Sequence, residues 1–395
     1  MKKILFVDTG REYGGGTKSF LYLLRGLAAQ QKYELCAFFE TDYETGERKI
    51  SQIIEEAGAK FIKFEPKKQP SKLKKELLRA LGGQMLAKHL YKKDYDYALC
   101  LLRQARPDIL HLNNHFSTNL AYIAAANALN IAVVQHMRKN SAIEPFKLEI
   151  LKRLKFTPVC VSNATYEFYA AQIKMPKNVV YNPVKAPVLR REKSEASENL
   201  SLSQAILKNS GDGKSAALKA KFDAEKINIV MPANFLTLKG HELVFDALAG
   251  LKRSDIKVYF AGTGELKAGA KAKFDALIKS GKAEYLGFVS KMDEIYAACD
   301  YVLGFSSDEG LPRVVIEALG CGLGVVYSDI AVIREIYEIS SKKQDFFIVQ
   351  RGSDALLACF ESLRKPASKS PDDAVIKAFS IENYLRGIDR IYSEL

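Results

Sequence analysis

Residues 301–329, YVLGFSSDEGLPRVVIEALGCGLGVVYSD, contain the strongest local signal in the chain. An apolar run is followed by a polar loop, an amphipathic stretch, a glycine-containing turn and a second apolar run, which is the order strand, loop, helix, turn, strand. Pro312 suits the first position of the helix, because the N–H that it lacks would have no helical partner there. The segment therefore predicts one unit of a parallel α/β sheet.

Two glutamates eight positions apart flank the start of this predicted helix. Glu309 precedes the helix in the loop, and Glu317 lies more than one turn inside it. A helix N-terminus at the carboxyl end of a strand favours phosphate, and carboxylate oxygens accept hydrogen bonds from sugar hydroxyls. The combination predicts a nucleotide-sugar site. The alternative is an ordinary surface helix with capping carboxylates.

Strand-like and helical stretches alternate along the rest of the chain, which predicts an α/β protein with two Rossmann-like, doubly wound parallel sheets. We expect the two sheet domains to face a cleft that holds the ligand. The expected strands are 4–7, 34–39, 61–64, 109–112, 132–136, 157–161, 179–182, 227–232, 256–261, 284–288, 301–305, 324–327 and 346–349.

The length of 395 residues predicts two or three domains. We expect an N-terminal domain at 1–185 and a second domain at 186–375. The second domain would begin with a linker or insert at 186–224, which is rich in Lys, Ser, Glu and Ala. Residues 376–395 are expected to end the chain as an amphipathic helix.

A glycine loop follows the first predicted strand, in VDTGREYGGGTKSF (7–20). Gly14, Gly15 and Gly16 let the backbone approach a ligand closely, and the N-terminus of the following helix favours anions. A purely structural turn is the alternative. The dinucleotide fingerprint G-x-G-x-x-G is absent.

The segment EGLPRVVIE (309–317) resembles the E-x7-E motif of the GT-B retaining glycosyltransferases of family 4, also called glycosyl transferases group 1. The resemblance implies a GT-B fold, with the acceptor side in the N-terminal domain, the nucleotide-sugar donor in the second domain, and a C-terminal helix at 376–395 that crosses back to the N-terminal domain. It also implies that Glu309 and the adjacent backbone of Gly310 and Leu311 hold the donor sugar, and that Glu317 binds the nucleotide ribose.

The dipeptide Lys239-Gly240 resembles the KG element of the same family, whose lysine contacts the donor diphosphate. A compact cation suits that role. Many members also carry an arginine shortly before this lysine. Residues 234–238 of this chain contain none, and Arg313 is a candidate replacement. The resemblance further implies that the backbone at Val289 meets the nucleotide base.

The resemblance extends to the first half of the chain. It implies that Gly15 and Gly16 border the donor phosphates, and that His136, in AVVQHMRKN, lies near the donor sugar or the reacting centre. Arg138 beside it could reach a phosphate or an anionic acceptor. The alternative for His136 is a structural histidine, and His111 is expected to be a packed core residue.

Together these segments imply a retaining glycosyltransferase of bacterial cell-surface glycan synthesis, acting on a lipopolysaccharide, capsule or lipid-linked acceptor. Glu309, Lys239 and His136 would be catalytic, and the leaving phosphate would help to deprotonate the acceptor. We expect a UDP-sugar rather than a GDP-sugar as co-substrate, and no metal. Two alternatives are open: a non-catalytic nucleotide-sugar-binding subunit, which the missing arginine favours, and a GT-B-like nucleotide-sugar epimerase.

The net charge of +13 is concentrated in residues 60–93, which hold eleven Lys or Arg against two Glu. Apolar residues recur there at helical spacing, so the segment predicts a basic amphipathic helix at an anionic membrane or acceptor surface. The cations assigned to that surface are Lys67, Lys68, Lys72, Lys74, Lys75 and Arg79. The alternative is a solvated helix whose leucine face packs on its own domain. Nucleic acid is not expected, because aromatic interleaving and a recognisable module are both missing.

The six cysteines are scattered and most lie in apolar runs, which predicts buried free thiols. No apolar run reaches the length that a spanning helix needs, and the first apolar run is too short for a signal peptide. These features predict a cytoplasmic protein, peripheral at the cytoplasmic face of the inner membrane.

Overall fold

The computed structural model describes residues 1–10, 13–67, 71–80, 82–184, 222–366 and 368–395. The chain divides into two compact units, one made of Met1–Pro183 and Ile381–Leu395, the other of Val184–Ser380. Residues 376–380 thus belong to the second unit. The expected insert at 186–224 lies outside the described residues up to position 221.

The first unit contains a six-stranded parallel sheet in the order β5-β2-β1-β6-β7-β8. Its strands are β1 (Lys3–Asp8), β2 (Glu34–Phe39), β5 (Lys60–Phe61), β6 (Ile109–Leu112), β7 (Ala132–Met137) and β8 (Thr157–Cys160). A separate antiparallel ribbon pairs β3 (Glu44–Thr45) with β4 (Arg48–Lys49). Two expected strands were wrong in extent: the one at 61–64 is only Lys60–Phe61, and the one at 179–182 is a single bridge from Val179 to Cys160.

Helices cover both faces of this sheet. They are α1 (Gly15–Gln30), α2 (Ile50–Glu56), α3 (Lys72–Ala80), α4 (Gly83–Ala105), α5 (Phe116–Ala128), α6 (Pro145–Leu151), α7 (Asn163–Ala170) and the C-terminal α15 (Ile381–Ser393). Successive residues of a strand point to opposite faces. Ile4 and Phe6 therefore pack with α1, α2 and α15, whereas Leu5 and Val7 pack with α4, α5, α6 and α7.

The basic amphipathic segment forms two helices rather than one. The helix is interrupted between α3 and α4 at Gly82, whose φ of +116° lies in the region that favours glycine. Leu73 and Leu77 on α3 are 80% and 62% exposed. Leu73 and Leu77 are therefore not packed on the first unit, whereas Leu78 of the same helix is half-buried.

The second unit repeats the architecture, with a parallel sheet in the order β11-β10-β9-β12-β13-β14. Its strands are β9 (Ile227–Pro232), β10 (Ile256–Ala261), β11 (Ala283–Gly287), β12 (Tyr301–Gly304), β13 (Gly324–Ser328) and β14 (Phe346–Val349). Its helices are α8 (His241–Gly250), α9 (Ala268–Lys279), α10 (Met292–Ala298), α11 (Arg313–Gly320), α12 (Ala331–Ile339), α13 (Ser353–Ser362) and α14 (Asp373–Ala378), with 3-10 turns at Thr237–Lys239 and Lys343–Asp345. All six expected strands are present, with bounds that agree to within a residue.

Each sheet has a point where the strand order reverses. In the second unit the chain leaves β9 towards β10 and β11, and then returns to the other side of β9 with β12. In the first unit the reversal lies between β1 and β6. The loops that follow the two strands of such a pair diverge and leave a crevice at the carboxyl edge, where open α/β sheets bind ligands.

The cysteines agree in part with their prediction. Cys36, Cys160, Cys299 and Cys321 are buried, Cys359 is half-buried and Cys100 is exposed, and all six are free thiols. Within the described ranges no helix combines the length and apolar character needed to cross a membrane.

Candidate functional site

The reversal point of the second unit places Lys239 beside the loop that follows β12. Lys239 ends the 3-10 turn after β9, and Gly240 then adopts a φ of +72°. The backbone N–H of Ser307 donates to the carbonyl of Leu238 at 2.8 Å, which joins the two loops. A Cβ on Gly240 would lie 2.3 Å from the carbonyl oxygen of Phe305, so only glycine allows this approach.

Glu309 meets Lys239 across this junction. Glu309 lies in the loop ahead of α11, as predicted, and its Oε1 forms an ion pair with the Lys239 ammonium. The same oxygen accepts hydrogen bonds from the Ser306 hydroxyl at 2.8 Å and the Tyr327 hydroxyl at 3.3 Å. The two side chains of the pair are 24% (Lys239) and 17% (Glu309) exposed, so solvent still reaches them.

Ser306 and Tyr327 are fixed by their own surroundings. Burial, and secondarily the charge of Glu309, raise the pKa of Tyr327 well above its usual value, so its hydroxyl remains a donor. The Ser328 hydroxyl donates to the Ser306 carbonyl at 2.6 Å. These contacts hold the Glu309 carboxylate independently of Lys239. Tyr327 was missed by the sequence interpretation, although it stands near the carboxyl end of β13, next to β12 in the sheet.

Glu317 lies on α11, which begins at Arg313 with Pro312 as its N-cap rather than as its first residue. The Tyr296 hydroxyl donates to Glu317 Oε2 at 3.3 Å, and the Arg313 guanidinium is 3.6 Å from Oε1. Burial raises the pKa of Tyr296 well above its usual value, so this hydroxyl also stays protonated.

The remaining residues assigned to this site follow the same edge of the sheet. Gly310 is buried and Leu311 is half-buried between Glu309 and α11. Val289 lies in the loop after β11, two strands away from β9. Among the described residues, the crevice thus presents the Lys239 ammonium, the Arg313 guanidinium and two carboxylates that neutral hydroxyls hold in place, a set that can bind a phosphorylated sugar.

In the first unit the glycine loop leads directly into α1. Gly15 and Gly16 are the first two residues of α1, and the N-cap, Gly14, supplies no side-chain hydrogen bond. A Cβ on Gly16 would lie 3.4 Å from Cδ of Arg138. The start of α1 therefore packs against the arginine that follows β7.

Arg138 is buried within a polar cluster. Its guanidinium donates to the side-chain oxygens of Asn113 and Asn182, and to the Tyr384 hydroxyl at 3.1 Å. The Asn113 amide in turn donates to Asp8 at 2.6 Å. Asparagine thereby links the buried cation to a carboxylate at the end of β1.

His136 lies next to this cluster and is fully buried. Its Nδ1 is 3.3 Å from Nε2 of His111, and Nδ1 of His111 is 2.6 Å from the Tyr392 hydroxyl. Burial, and then the charge of Arg138, lower the pKa of His111 to about 3 and that of His136 well below its usual value. His111 is buried, as expected for a core residue, but it also bridges two functional groups.

The cations assigned to a membrane or acceptor surface are in different situations. Lys67 is held by Glu40 at 2.5 Å and Asp94 at 3.2 Å, and it lies over the rings of Tyr97 and Tyr122. The Lys67 ammonium is therefore held by these carboxylates and rings and is not a free surface charge. Lys72, Lys74, Lys75 and Arg79 are all on α3, whereas Lys68 lies outside the described residues.

A cavity of about 690 Å³ lies between the loop after β5 and α4. Phe64 and Tyr97 line it together with Lys67, Lys93 and Asp94. This cavity combines aromatic rings with charged groups of both signs.

Across the described part of the chain, no three His, Cys, Asp or Glu side chains are grouped so that they could hold a metal ion.

The sequence matches one family model and, over a shorter stretch, one characterised enzyme. Residues 216–368 match the family model described as glycosyl transferases group 1. A 91-residue stretch is 35% identical to a Campylobacter jejuni enzyme, N-acetylgalactosamine-N,N'-diacetylbacillosaminyl-diphospho-undecaprenol 4-alpha-N-acetylgalactosaminyltransferase. That stretch spans 23% of this chain and 25% of the relative, so the match covers about a quarter of the relative's length.

Solved structures resemble the chain over its whole length. Anabaena HepE in complex with UDP and glucose is 17% identical with a TM-score of 0.67, and the match covers 100% of both chains. A glycosyltransferase from Rickettsia africae is 17% identical with a TM-score of 0.71, covering 100% of this chain and 98% of the other. The chain thus has the GT-B fold, and the match to glycosyl transferases group 1 falls on residues 216–368.

Proposed function

We propose that the protein is a retaining glycosyltransferase that moves a sugar from a nucleotide-sugar donor to a hydroxyl of a bacterial cell-surface or lipid-linked glycan. The contact between Lys239 and Glu309 carries this proposal. It unites a cation and a carboxylate from the loops that follow the two central strands, at the reversal point where such sheets bind ligands.

Each residue has a role that suits its surroundings. Lys239 contacts the donor diphosphate, Glu309 accepts hydrogen bonds from sugar hydroxyls, and Glu317 accepts those of the ribose. When a diphosphate draws Lys239 away, Ser306 and Tyr327 still donate to Glu309. The sugar-binding carboxylate therefore keeps its position while the cation changes partner.

The transfer step follows from these positions. The bond between the sugar anomeric carbon and the phosphate oxygen breaks, and the acceptor oxygen bonds to the same face of that carbon. The acceptor's proton passes to the departing phosphate. Lys239 stabilises the negative charge that builds on that phosphate, an electrostatic effect that is often the largest single contribution to catalysis.

A UDP-sugar is the donor that we propose, and no metal is required for these steps. Anabaena HepE, which shares the fold, has been solved with UDP and with UDP-glucose. Among the described residues, Lys239 is positioned to supply the positive charge that a metal ion would otherwise bring to the diphosphate.

On the acceptor side we propose that the cavity beside α4 receives the glycan and that α3 contacts an anionic membrane. The cavity offers aromatic rings and hydrogen-bonding groups of both signs, which suit a neutral sugar. The adjoining α3 exposes Leu73 and Leu77 among basic residues. An exposed apolar face on a basic helix is the arrangement that binds the surface of an anionic bilayer.

Donor binding is expected to depend on Glu317. UDP and UDP-sugars should raise the melting temperature of the wild type more than GDP or ADP do, and Glu317→Ala should weaken UDP binding about 10- to 100-fold. The estimate corresponds to the loss of hydrogen bonds to a charged acceptor, about 1.5–3 kcal/mol. The measurement is a thermal-shift titration, followed by calorimetry with the preferred nucleotide.

Glu338→Ala is the matched control, because Glu338 is an exposed glutamate on α12 of the same unit. It should bind UDP as the wild type does. No stabilisation by any nucleotide would refute the donor site. Selective binding without sugar transfer or donor hydrolysis, with credible acceptors present, would favour the non-catalytic subunit. Conversion of the donor without an acceptor would favour the epimerase.

Membrane binding is expected to depend on the exposed leucines of α3. Leu73→Ser and Leu77→Ser should each lower the partition coefficient onto vesicles that contain anionic phospholipid by about 5- to 10-fold, since burying a leucine contributes about 1.5–3 kcal/mol when complete and these side chains would be buried in part. High salt should weaken binding of the wild type further, because it screens the basic residues. Vesicle sedimentation measures both effects.

Ile278→Ser is the control, because Ile278 is also an exposed apolar residue, at 38%, but lies on α9 of the second unit. It should leave the partition coefficient unchanged. Equal binding to neutral and anionic vesicles, or binding to duplex nucleic acid in preference to vesicles, would contradict this assignment of α3.

A further inference from the structure

A buried chain of hydrogen bonds joins the C-terminal helix to the carboxyl end of β7. The Tyr392 hydroxyl on α15 lies 2.6 Å from Nδ1 of His111 on β6. Nε2 of His111 lies 3.3 Å from Nδ1 of His136 on β7. All three side chains are fully buried on the sheet face that α1 and α15 cover.

The direction of this chain can be deduced from its first member. Burial raises the pKa of Tyr392 well above its usual value, so the phenol stays protonated and donates the hydrogen bond. In the described part of the molecule His111 Nδ1 is the acceptor within reach. A neutral imidazole that accepts at Nδ1 carries its proton on Nε2. His111 therefore donates to Nδ1 of His136, and His136 in turn carries its proton on Nε2.

Both imidazoles are held in the neutral form. Neither imidazole is hydrogen-bonded to a carboxylate of the described residues, and the guanidinium of Arg138 opposes a further positive charge. The hydrogen-bond chain is thus a fixed series of donors and acceptors, in which neither histidine takes up a second proton.

The hydrogen-bond chain ends at His136, which has no further partner in the described part of the structure. Nε2 of His136 is buried and has no hydrogen-bond partner among the described residues. Leaving a buried donor unsatisfied carries a free-energy cost, because the group has lost its hydrogen bond to water. His136 stands one residue before the end of β7, and Arg138, two positions later, contacts the start of α1. A bound oxygen atom that accepts from this N–H would remove the cost.

We propose that Tyr392 and His111 are positioning residues that fix His136 as a neutral Nε2–H donor to an oxygen of the bound substrate. This inference rests on the proposed function for the identity of the substrate. It changes the expected role of His136, because a neutral imidazole with its proton on Nε2 donates a hydrogen bond and is not a general base at that nitrogen.

The tautomers can be observed directly in the full chain labelled with ¹⁵N-histidine. Five histidines give a spectrum that single substitutions can assign. At neutral pH, His111 and His136 should both be neutral with the proton on Nε2. In Tyr392→Phe, His111 loses the donor to its Nδ1, so His111 and His136 should shift towards a mixture of tautomers. UDP-sugar should shift the Nε2 signal of His136 in the wild type.

Kinetics separate positioning from a merely structural role. Tyr392→Phe should lower kcat about 5- to 10-fold with little change in KM for the donor. His136→Gln, whose amide can donate from a similar place, should retain more activity than His136→Ala. Tyr33→Phe is the matched control. Tyr33 contacts the ring of Tyr392 and donates a hydrogen bond to Asp389 on α15, but it is not a member of the hydrogen-bond chain from Tyr392 to His136. It should leave both the tautomers and kcat unchanged.

The inference is overturned if His136 carries its proton on Nδ1 in the wild type, or if Tyr392→Phe leaves both histidine spectra unchanged. It is also overturned if UDP-sugar binds without shifting the His136 Nε2 signal. A protein that shows the expected tautomers and the ligand-induced shift but no transfer would refute the proposed function, while supporting the positioning of His136.

Discussion

Replacing Lys239 by methionine is expected to slow sugar transfer by about 10²–10³-fold, the usual effect of removing one preorganised group that stabilises developing charge. Methionine has a similar length but no charge, so the leaving diphosphate loses its cation. Folding should be little affected, because Ser306 and Tyr327 continue to satisfy Glu309. The initial rate of UDP release at saturating donor and acceptor measures the effect.

Lys271→Met provides the control for loss of one positive charge. Lys271 is a 65% exposed lysine on α9 of the same unit, in a surface ion pair with Asp275, and such pairs contribute little. Its turnover should match that of the wild type. If Lys239→Met retains transfer within about threefold of the wild type, Lys239 does not stabilise the leaving group.

Replacing Gly240 by alanine is expected to lower the free energy of unfolding by about 2–5 kcal/mol and to abolish donor binding. Two costs add: a left-handed conformation for a residue with a Cβ, at a φ of +72°, and a contact of 2.3 Å with the Phe305 carbonyl. Because that carbonyl belongs to the backbone after β12, relief requires the turn with Lys239 to move away from Glu309. Chemical denaturation and UDP titration measure the two effects.

Gly269→Ala is the corresponding control in α9. An added Cβ there meets no atom within 4 Å, and its φ is not positive. Alanine is favoured over glycine inside a helix by about 0.5–1 kcal/mol, so this variant should be as stable as the wild type or slightly more stable. A Gly240→Ala protein with wild-type stability and UDP affinity would show that the loop junction does not depend on this glycine.

Regular features of the fold were predictable because they depend on local periodicity. The strand at 301–304, the loop with Glu309 and the helix with Glu317 were all expected from one 29-residue segment. The failures occur where a short apolar run makes few pairings. Only Phe61 of the run at 61–64 pairs, next to Lys60 at the sheet edge, and the run at 179–182 reaches the sheet at one position.

The site was predictable in its residue types and less so in its contacts. Lys239 and Glu309 were assigned to different parts of one ligand, and the structure adds that they contact each other. The link from Tyr392 to His111 was not predictable, because these residues lie 281 positions apart and belong to separate patterns. Their strand and helix periodicities indicated burial, whereas the hydrogen bond between them depends on how α15 docks.

The noncontiguous first unit has a consequence for the order of assembly during translation. Tyr384, Ile388, Ile391 and Tyr392 of α15 belong to the same hydrophobic core as α1 and β1, yet the ribosome makes them after the whole second unit. Until then residues 1–183 present an uncovered apolar face. The hydrophobic core of the first unit is consequently complete only after synthesis has passed residue 393, although most of the unit's sequence is made much earlier.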